Sequence, residues 1–349
     1  MPSQMALEIR EQPAALQATR DALRPLHDDL RSLARATDRV VLYARGSSDS
    51  AATYGRYLLE VAASVPASMG APSMATLYDA ELDLSTTLAV ICSQSGHTGE
   101  LVEVAEWARR RGARIVSVTN DERSPIAQAA DVAMVTRAGV EVAVPATKSH
   151  STCLLALAEL AVAVAPRSRP RRAALLEALD RVPEEAERLL AEAAAAEELA
   201  GTLVSSTAMC VVGRGFTFTT AQELALKIEE TTSIPCLGMS QADLQHGPVA
   251  VLGPDRPLIV AAAPDGPTLP GLAAVAKAAH DRGAAVIVLG GGASLSSGAV
   301  GVLAGPRLPE EVAPIALIVP GQLLAEALSR ATGHDPDHPP GLSKVTQTA

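Results

Sequence analysis

The chain contains one pattern twice. ARGSSDSAATYGRYLLEVAASVP, from Ala44 to Pro66, and GRGFTFTTAQELALKIEETTSIP, from Gly213 to Pro235, align without a gap. Arg45 falls on Arg214, Ser64 on Ser233 and Pro66 on Pro235, so each pair is 169 residues apart. A chain of 349 residues is too long for one ordinary core, and two copies of one folding unit explain its length.

The unit itself is readable. VVLYARG (Val40–Gly46) predicts a strand and SDSAATYGRYLLEVAAS a helix. TTLAVICS (Thr86–Ser93) predicts a strand, TGELVEVAEWARRRG a helix, and ARIVSVTN and VAMVTRAG further strands. A long helix follows over ATKSHSTCLLALAELAVAVA. In the second copy TAMCVVGRG, RPLIVAAAP, AAVIVLGGG and GAVGVLAG predict strands, and FTFTTAQELALKIEET a helix. Apolar runs alternating with helices point to a layered α/β fold with parallel, doubly wound, flavodoxin-like sheets. Residues 1–36 form a helical lead-in and 37–166 the first unit. Residues 167–201, rich in Ala, Leu and Glu, form a helical connection. Residues 202–334 form the second unit and 335–349 a tail.

Composition narrows the function. Aromatic residues are 2% of the chain and hydrophobic ones 48%, so the core is built from Ala, Val, Leu and Ile. A net charge of −10 disfavours nucleic acid as a partner but leaves room for a small anion held by backbone amides. The start MPSQMALEIREQP lacks the apolar core of a signal peptide, and no uninterrupted apolar run is long enough to span a membrane, so a cytoplasmic location is expected. Cys92, Cys153, Cys210 and Cys236 lie in apolar stretches without metal-ligand spacing and read as reduced core thiols; no metal or other cofactor is expected.

Five stretches carry chemistry. SQSGHTGE (Ser93–Glu100) follows an apolar strand and opens a helix. Hydroxyls, a glycine and free helix amides make an anion loop, with a helix cap by Ser95 or Thr98 as the alternative. At the 169-residue spacing the second copy has Ala262-Ala263-Pro264 in place of Ser93-Gln94-Ser95, so the turn itself does not need the polar trio. ARGSSDS offers Ser47 and Ser48, as caps or as ligand contacts. In AQELALKIEETTS, Glu223, Lys227 and Glu230 are spaced i, i+4 and i, i+3, which puts them near one helix face: a surface row of ion pairs, or a carboxylate base beside an ammonium group. DLQHGPVAVL holds His246 before Gly-Pro, and the tail DHPPGLSKVTQTA holds Lys344 in LSKV, flanked by the apolar Leu342 and Val345.

Together SQSGHT, GRG…ELALKIEE, LQHGP and LSKVT resemble the SIS (sugar isomerase) superfamily over nearly the whole chain. The likeness is strongest to the isomerase half of the glutamine–fructose-6-phosphate aminotransferases and to the stand-alone glucosamine-6-phosphate deaminases. The resemblance implies two tandem SIS subdomains, each a parallel sheet flanked by helices, and a homodimer. It implies a sugar phosphate held by Ser93, Gln94, Ser95 and Thr98. Sugar contacts are implied at Ser48 and its neighbour Ser47, and at Val144 in the VPATK segment. It gives Glu230 the proton transfer between C1 and C2, with Lys227 assisting. His246, from the neighbouring subunit, opens the ring, and Lys344 meets the carbonyl end. A base working near neutral pH calls for a pKa raised above about 4.3, by burial.

Three departures stand out. The synthases carry an amino-terminal glutaminase domain, and this sequence opens on MPSQ instead, so ammonia is not expected from glutamine within this chain. Ala146 stands where the family has a serine, and His97 where it has an acidic residue. The implied reaction is conversion of glucosamine 6-phosphate to fructose 6-phosphate and ammonia. An aldose–ketose isomerase, a fructosamine-6-phosphate deglycase and a non-catalytic sugar-phosphate sensor are the alternatives.

Overall fold

The computed structural model describes residues 2–168 and 170–344, with 293 and 294 described by their backbone alone. It holds two five-stranded parallel sheets. The first contains β1 (Arg39–Tyr43), β2 (Ala67–Met69), β3 (Thr87–Cys92), β4 (Arg114–Thr119) and β5 (Val132–Val135), in the order β2-β1-β3-β4-β5. The second contains β6 (Met209–Gly213), β7 (Cys236–Ser240), β8 (Leu258–Ala262), β9 (Val286–Gly290) and β10 (Gly301–Leu303), in the order β7-β6-β8-β9-β10. The two orders are the same topology, and both are doubly wound with helices between successive strands.

The repeat extends to single dihedral angles. Gly46 and Gly215 both turn through positive φ, at +55° and +58°. Ser64 and Ser233 both end their helices in the left-handed region, at 56° and 58°. Val40 N donates to Pro66 O at 2.9 Å and Met209 N to Pro235 O at 2.8 Å. Asp38 N to Thr86 O and Thr207 N to Asp255 O repeat the next bond. The 169-residue spacing therefore holds through the strand that precedes the Ser93–Ser95 loop.

β1 stops at Tyr43, short of Gly46, because the chain must reverse at that glycine to enter the helix Ser47–Leu58. That helix widens into a π turn at Leu59–Ala63 before Ser64. β2 and β7 escape the alternation rule: each is a short edge strand directly after the matched proline, with little continuous burial. Two helices not named from the sequence, Leu269–Asp281 and Ala313–Ala331, complete the second unit, and the latter packs on Thr217–Thr232.

β3, β6, β8 and β9 are buried at every position, which is why they read as unbroken apolar runs. Each fully buried Val, Leu or Ile there contributes about 1.5–3 kcal/mol. Trp107 is buried among Ile115, Val104 and Leu84, and its indole N–H donates to Ala80 O. All four cysteines are buried and free. Among the described residues no helix is long and apolar enough to cross a membrane.

The described residues divide into two compact units. One comprises Ala14–Glu141 and Lys148–Leu179; the other comprises 2–13, Val142–Thr147 and Asp180–Lys344. In the first, Glu159 is a fully buried anchor: it takes Arg20 Nε at 3.1 Å and His27 Nε2 at 2.7 Å, tying the leading helices to Lys148–Val164.

Candidate active site

In the first unit the loop after β3 is built from its own hydroxyls. Ser93 Oγ accepts from Gly96 N at 3.1 Å and lies 3.3 Å from Thr98 Oγ1; Ser95 Oγ accepts from His97 N at 3.2 Å. Thr98 is the residue that opens the helix Gly99–Arg110, yet its side chain makes no capping bond, and Ser95 does not cap that helix either. The cap reading of these residues is thus not what the geometry displays. Gln94 O is pinned by Asn120 N at 2.9 Å, and the Gln94 amide has no hydrogen-bond partner among the described residues. Gly96 sits at φ +67°, and a Cβ there would fall 2.2 Å from Ser124 Oγ, so the loop closes on a position only glycine can hold.

Ser47 and Ser48 lie in the first turn of Ser47–Leu58, whose cap is Gly46 without a side-chain bond. Ser47 O accepts from the buried His150 Nδ1 at 3.1 Å, which holds that turn to the helix Lys148–Val164. The two loops are joined by Arg45, whose Nε and Nη2 reach the Glu100 carboxylate at 2.8 and 2.7 Å. The Glu100 bond raises the Arg45 pKa. His97 Nε2 lies 3.0 Å from Asp121 Oδ2, and this contact is the main cause holding Asp121 below the usual carboxylate range. An open cavity of about 510 Å³ lies at these strand ends, lined by Gln94, Asn120, Thr136, Arg137 and Glu141. Free helix amides, hydroxyls and a convergence of strand ends are what an oxyanion needs.

In the second unit the helix Thr217–Thr232 carries Glu223 and Lys227 inward, with Glu230 partly buried beside them, rather than as a surface row. Lys227 is 1% exposed; its ammonium bonds the Glu230 carboxylate and lies 3.6 Å from Glu223 Oε1. Glu230 keeps 23% of its side chain exposed, so one end of the buried triad reaches the surface. This arrangement joins a carboxylate that can exchange protons to a fixed positive charge.

The counterpart of the first-unit loop is filled differently. Beyond Ala262-Ala263-Pro264, the buried Glu310 carboxylate accepts from Thr268 Oγ1 at 3.0 Å and lies against Gly266 and Gly215. A protein carboxylate here occupies the junction that the first copy leaves to hydroxyls.

Also in this unit, the segment Val142–Val144 is held by both chain ends. Glu8, fully buried, accepts from Val142 N and Ala143 N. Val144 N donates to Asp337 O at 3.0 Å, and the Asp337 carboxylate takes Gln4 N and Met5 N at 2.8 and 2.7 Å. Lys344 Nζ donates to Ala143 O at 2.8 Å, which brings Lys344 beside Val144. The residues beyond Lys344, part of the expected tail, lie outside the described residues. His246 ends the short helix Gln241–Gln245, exposed and without a hydrogen-bond partner for its ring among the described residues; it does not join the Lys227 cluster.

Sequence reasoning missed Arg45–Glu100, Glu8 and Asp337. Arg45 had a signal: it is the arginine kept in both copies at the strand end. Glu8 and Asp337 had none: Glu8 takes Gln4 Nε2 at 3.2 Å within its own helix, but the bonds that reach Val142–Val144 go through backbone amides far away in the chain.

The sequence pattern of the SIS domain matches residues 32–163 and 202–320. The chain is 34% identical over 351 aligned residues to a glutamine–fructose-6-phosphate aminotransferase (isomerizing) of Thermococcus kodakarensis, covering 98% of this chain and 58% of that protein. It therefore spans somewhat over half the length of this curated relative. A candidate phosphosugar isomerase of Silicibacter pomeroyi is 31% identical, with a TM-score of 0.85 over 96% of this chain and all of that one. The C-terminal domain of the Francisella tularensis glucosamine–fructose-6-phosphate aminotransferase shares the fold, with a TM-score of 0.88 at 23% identity over 97% of this chain and 99% of that one. Two matched stretches, and a shared fold over 96% of the chain, place it in the SIS domain family.

Proposed function

We propose that this chain is a phosphosugar isomerase whose reaction converts glucosamine 6-phosphate and water to fructose 6-phosphate and ammonia. The observation that carries the reading is the buried Lys227 ammonium bonded to Glu230, a carboxylate that still reaches the surface. The aminotransferase and isomerase names of relatives above 30% identity support a phosphorylated sugar as substrate.

In this reading Ser93, Gln94, Ser95, Thr98 and the amides of the helix start take the phosphate. Ser47, Ser48 and Val144 contact the sugar. His246, supplied by the second subunit of a homodimer, passes a proton as the ring opens. Glu230 removes the proton from C2 of the open-chain amino aldose and returns one to C1, and Lys227 steadies its charge. The product is the C2 imine, which water cleaves to ketone and ammonia, with Lys344 at the carbonyl end. The chain's own part is positioning and proton transfer, each worth orders of magnitude in rate. Residues 335–344 serve as a strap over Val142–Val144.

The test is an assay with glucosamine 6-phosphate, following ammonia and fructose 6-phosphate together. Equal amounts of both support the deaminase. Interconversion of aldose and ketose phosphates without ammonia marks a plain isomerase. Release of an amino acid from a fructosamine 6-phosphate marks a deglycase, and tight binding without turnover of any of these marks a sensor.

A further inference from the structure

The reaction above uses the carboxyl ends of the first sheet's strands. The other end carries a concentration of positive charge with no role in it. A cavity of about 350 Å³ lies beside the start of β1, lined by Arg31, Arg35 and Arg167 and by the apolar Val65, Val164 and Pro166. Arg31 Nη1 bonds Asp28 Oδ1 at 2.6 Å, and Arg167 Nη2 bonds the same oxygen at 2.8 Å. Asp28 is 78% exposed, so it is a weak counter-charge for two guanidinium groups. The buried Glu159 is already shared by Arg20 and His27.

Arg31 has more to satisfy. Its side chain is 11% exposed, and its Nε and Nη2 are buried with no hydrogen-bond partner among the described residues. A fourth guanidinium, Arg172, bonds Val162 O at 2.9 Å; burial first, and then the charges of Arg31 and Arg167, push its pKa down. Buried donors left unpaired, among cations that repel one another, are costly unless an anion joins them. In a chain of net charge −10 such a cluster is not a product of overall composition.

We propose that this cavity is a second ligand site, distinct from the Ser93–Thr98 loop, that takes a small phosphate-bearing molecule. Phosphate oxygens accept from Arg31, Arg35 and Arg167, and the less polar remainder lies on Val65, Val164 and Pro166. The planar fork of arginine suits a phosphate better than a single ammonium does, and the cavity volume suits a small ligand.

The experiment is calorimetric titration of the full chain with inorganic phosphate and with adenosine monophosphate at low ionic strength. The background is the Ser93→Ala/Ser95→Ala/Thr98→Val variant, in which the loop site is removed. The expected result is one remaining phosphate site per chain, weakened about tenfold or more by Arg31→Gln, with the nucleotide bound more tightly than phosphate. Arg35→Gln/Arg167→Gln changes only cavity-rim arginines and is expected to weaken the site likewise, so the test stands even where Arg31→Gln disturbs folding. Loss of all binding in the loop variant, or binding that neither arginine variant moves, overturns the site. A nucleotide bound no better than phosphate overturns the apolar wall's part in it.

Discussion

Arg45 grips both oxygens of Glu100, and in doing so it ties the turn after β1 to the first turn of the helix after β3. These are the two turns that carry Ser47, Ser48 and the Ser93–Thr98 loop. As a pair with Arg45 half exposed, the contact contributes about 1 kcal/mol or less to folding. Its larger effect is expected on the loops. Arg45→Ala should raise KM for the sugar phosphate several-fold with little change in kcat, and Arg45→Lys, which lacks the fork, should restore only part. Steady-state kinetics beside a thermal melt will check this; a fall in kcat alone would contradict the positioning role.

Gly96→Ala should cost more than its size suggests. The residue is in the left-handed region and its added methyl meets Ser124 and Thr119, two residues that hold the loop floor. Strain of about 1–3 kcal/mol is expected, together with loss of phosphate binding, read by chemical denaturation and by titration with inorganic phosphate. Unchanged affinity would show that the loop does not form the site.

Lys227 is a different kind of residue from a surface lysine. Lys227→Met removes the ammonium from beside Glu223 and Glu230 and should destabilise the chain by about 3–5 kcal/mol, because buried carboxylate charge loses its counter-charge. The denaturation midpoint measures this, and an unchanged midpoint would contradict it.

The thiols give a pH signature. Burial pushes Cys210 from the ordinary 9.0 up to about 11, and it raises Cys236 as well; Cys92 is raised chiefly by its contact with Cys153. An unfolded thiol loses its proton first, so this contribution to stability is full below pH 9 and falls as pH rises toward 11. Thermal midpoints from pH 8 to 11 should decline accordingly, and iodoacetamide at pH 8 should label none of the four cysteines until the chain is unfolded.

Much of this was readable from the chain, and the exceptions have physical causes. The matched Arg45/Arg214 and Pro66/Pro235 announce two sheets of one topology because a turn of fixed geometry demands the same residues twice. The i, i+3, i+4 spacing of Glu223, Lys227 and Glu230 puts them on one face, but spacing is blind to burial. Only the packing of Ala313–Ala331 and β7 on that helix shows the face turned inward. β2 and β7 were hidden because three to five half-buried residues carry no periodicity. The hold of Glu8 and Asp337 on Val142–Val144 was hidden because it runs through backbone amides, to the Glu8 carboxylate and the Asp337 carbonyl, and leaves no partner side chain to find.

The account turns on Glu230 as the group that moves the sugar proton. The direct measurement is NMR of fructose 6-phosphate in deuterium oxide with the wild-type chain and with Glu230→Gln. The wild type should exchange one C1 proton for deuterium. The variant should bind the sugar phosphate and show at least about a hundredfold slower exchange. Exchange at the wild-type rate in Glu230→Gln would contradict the assignment.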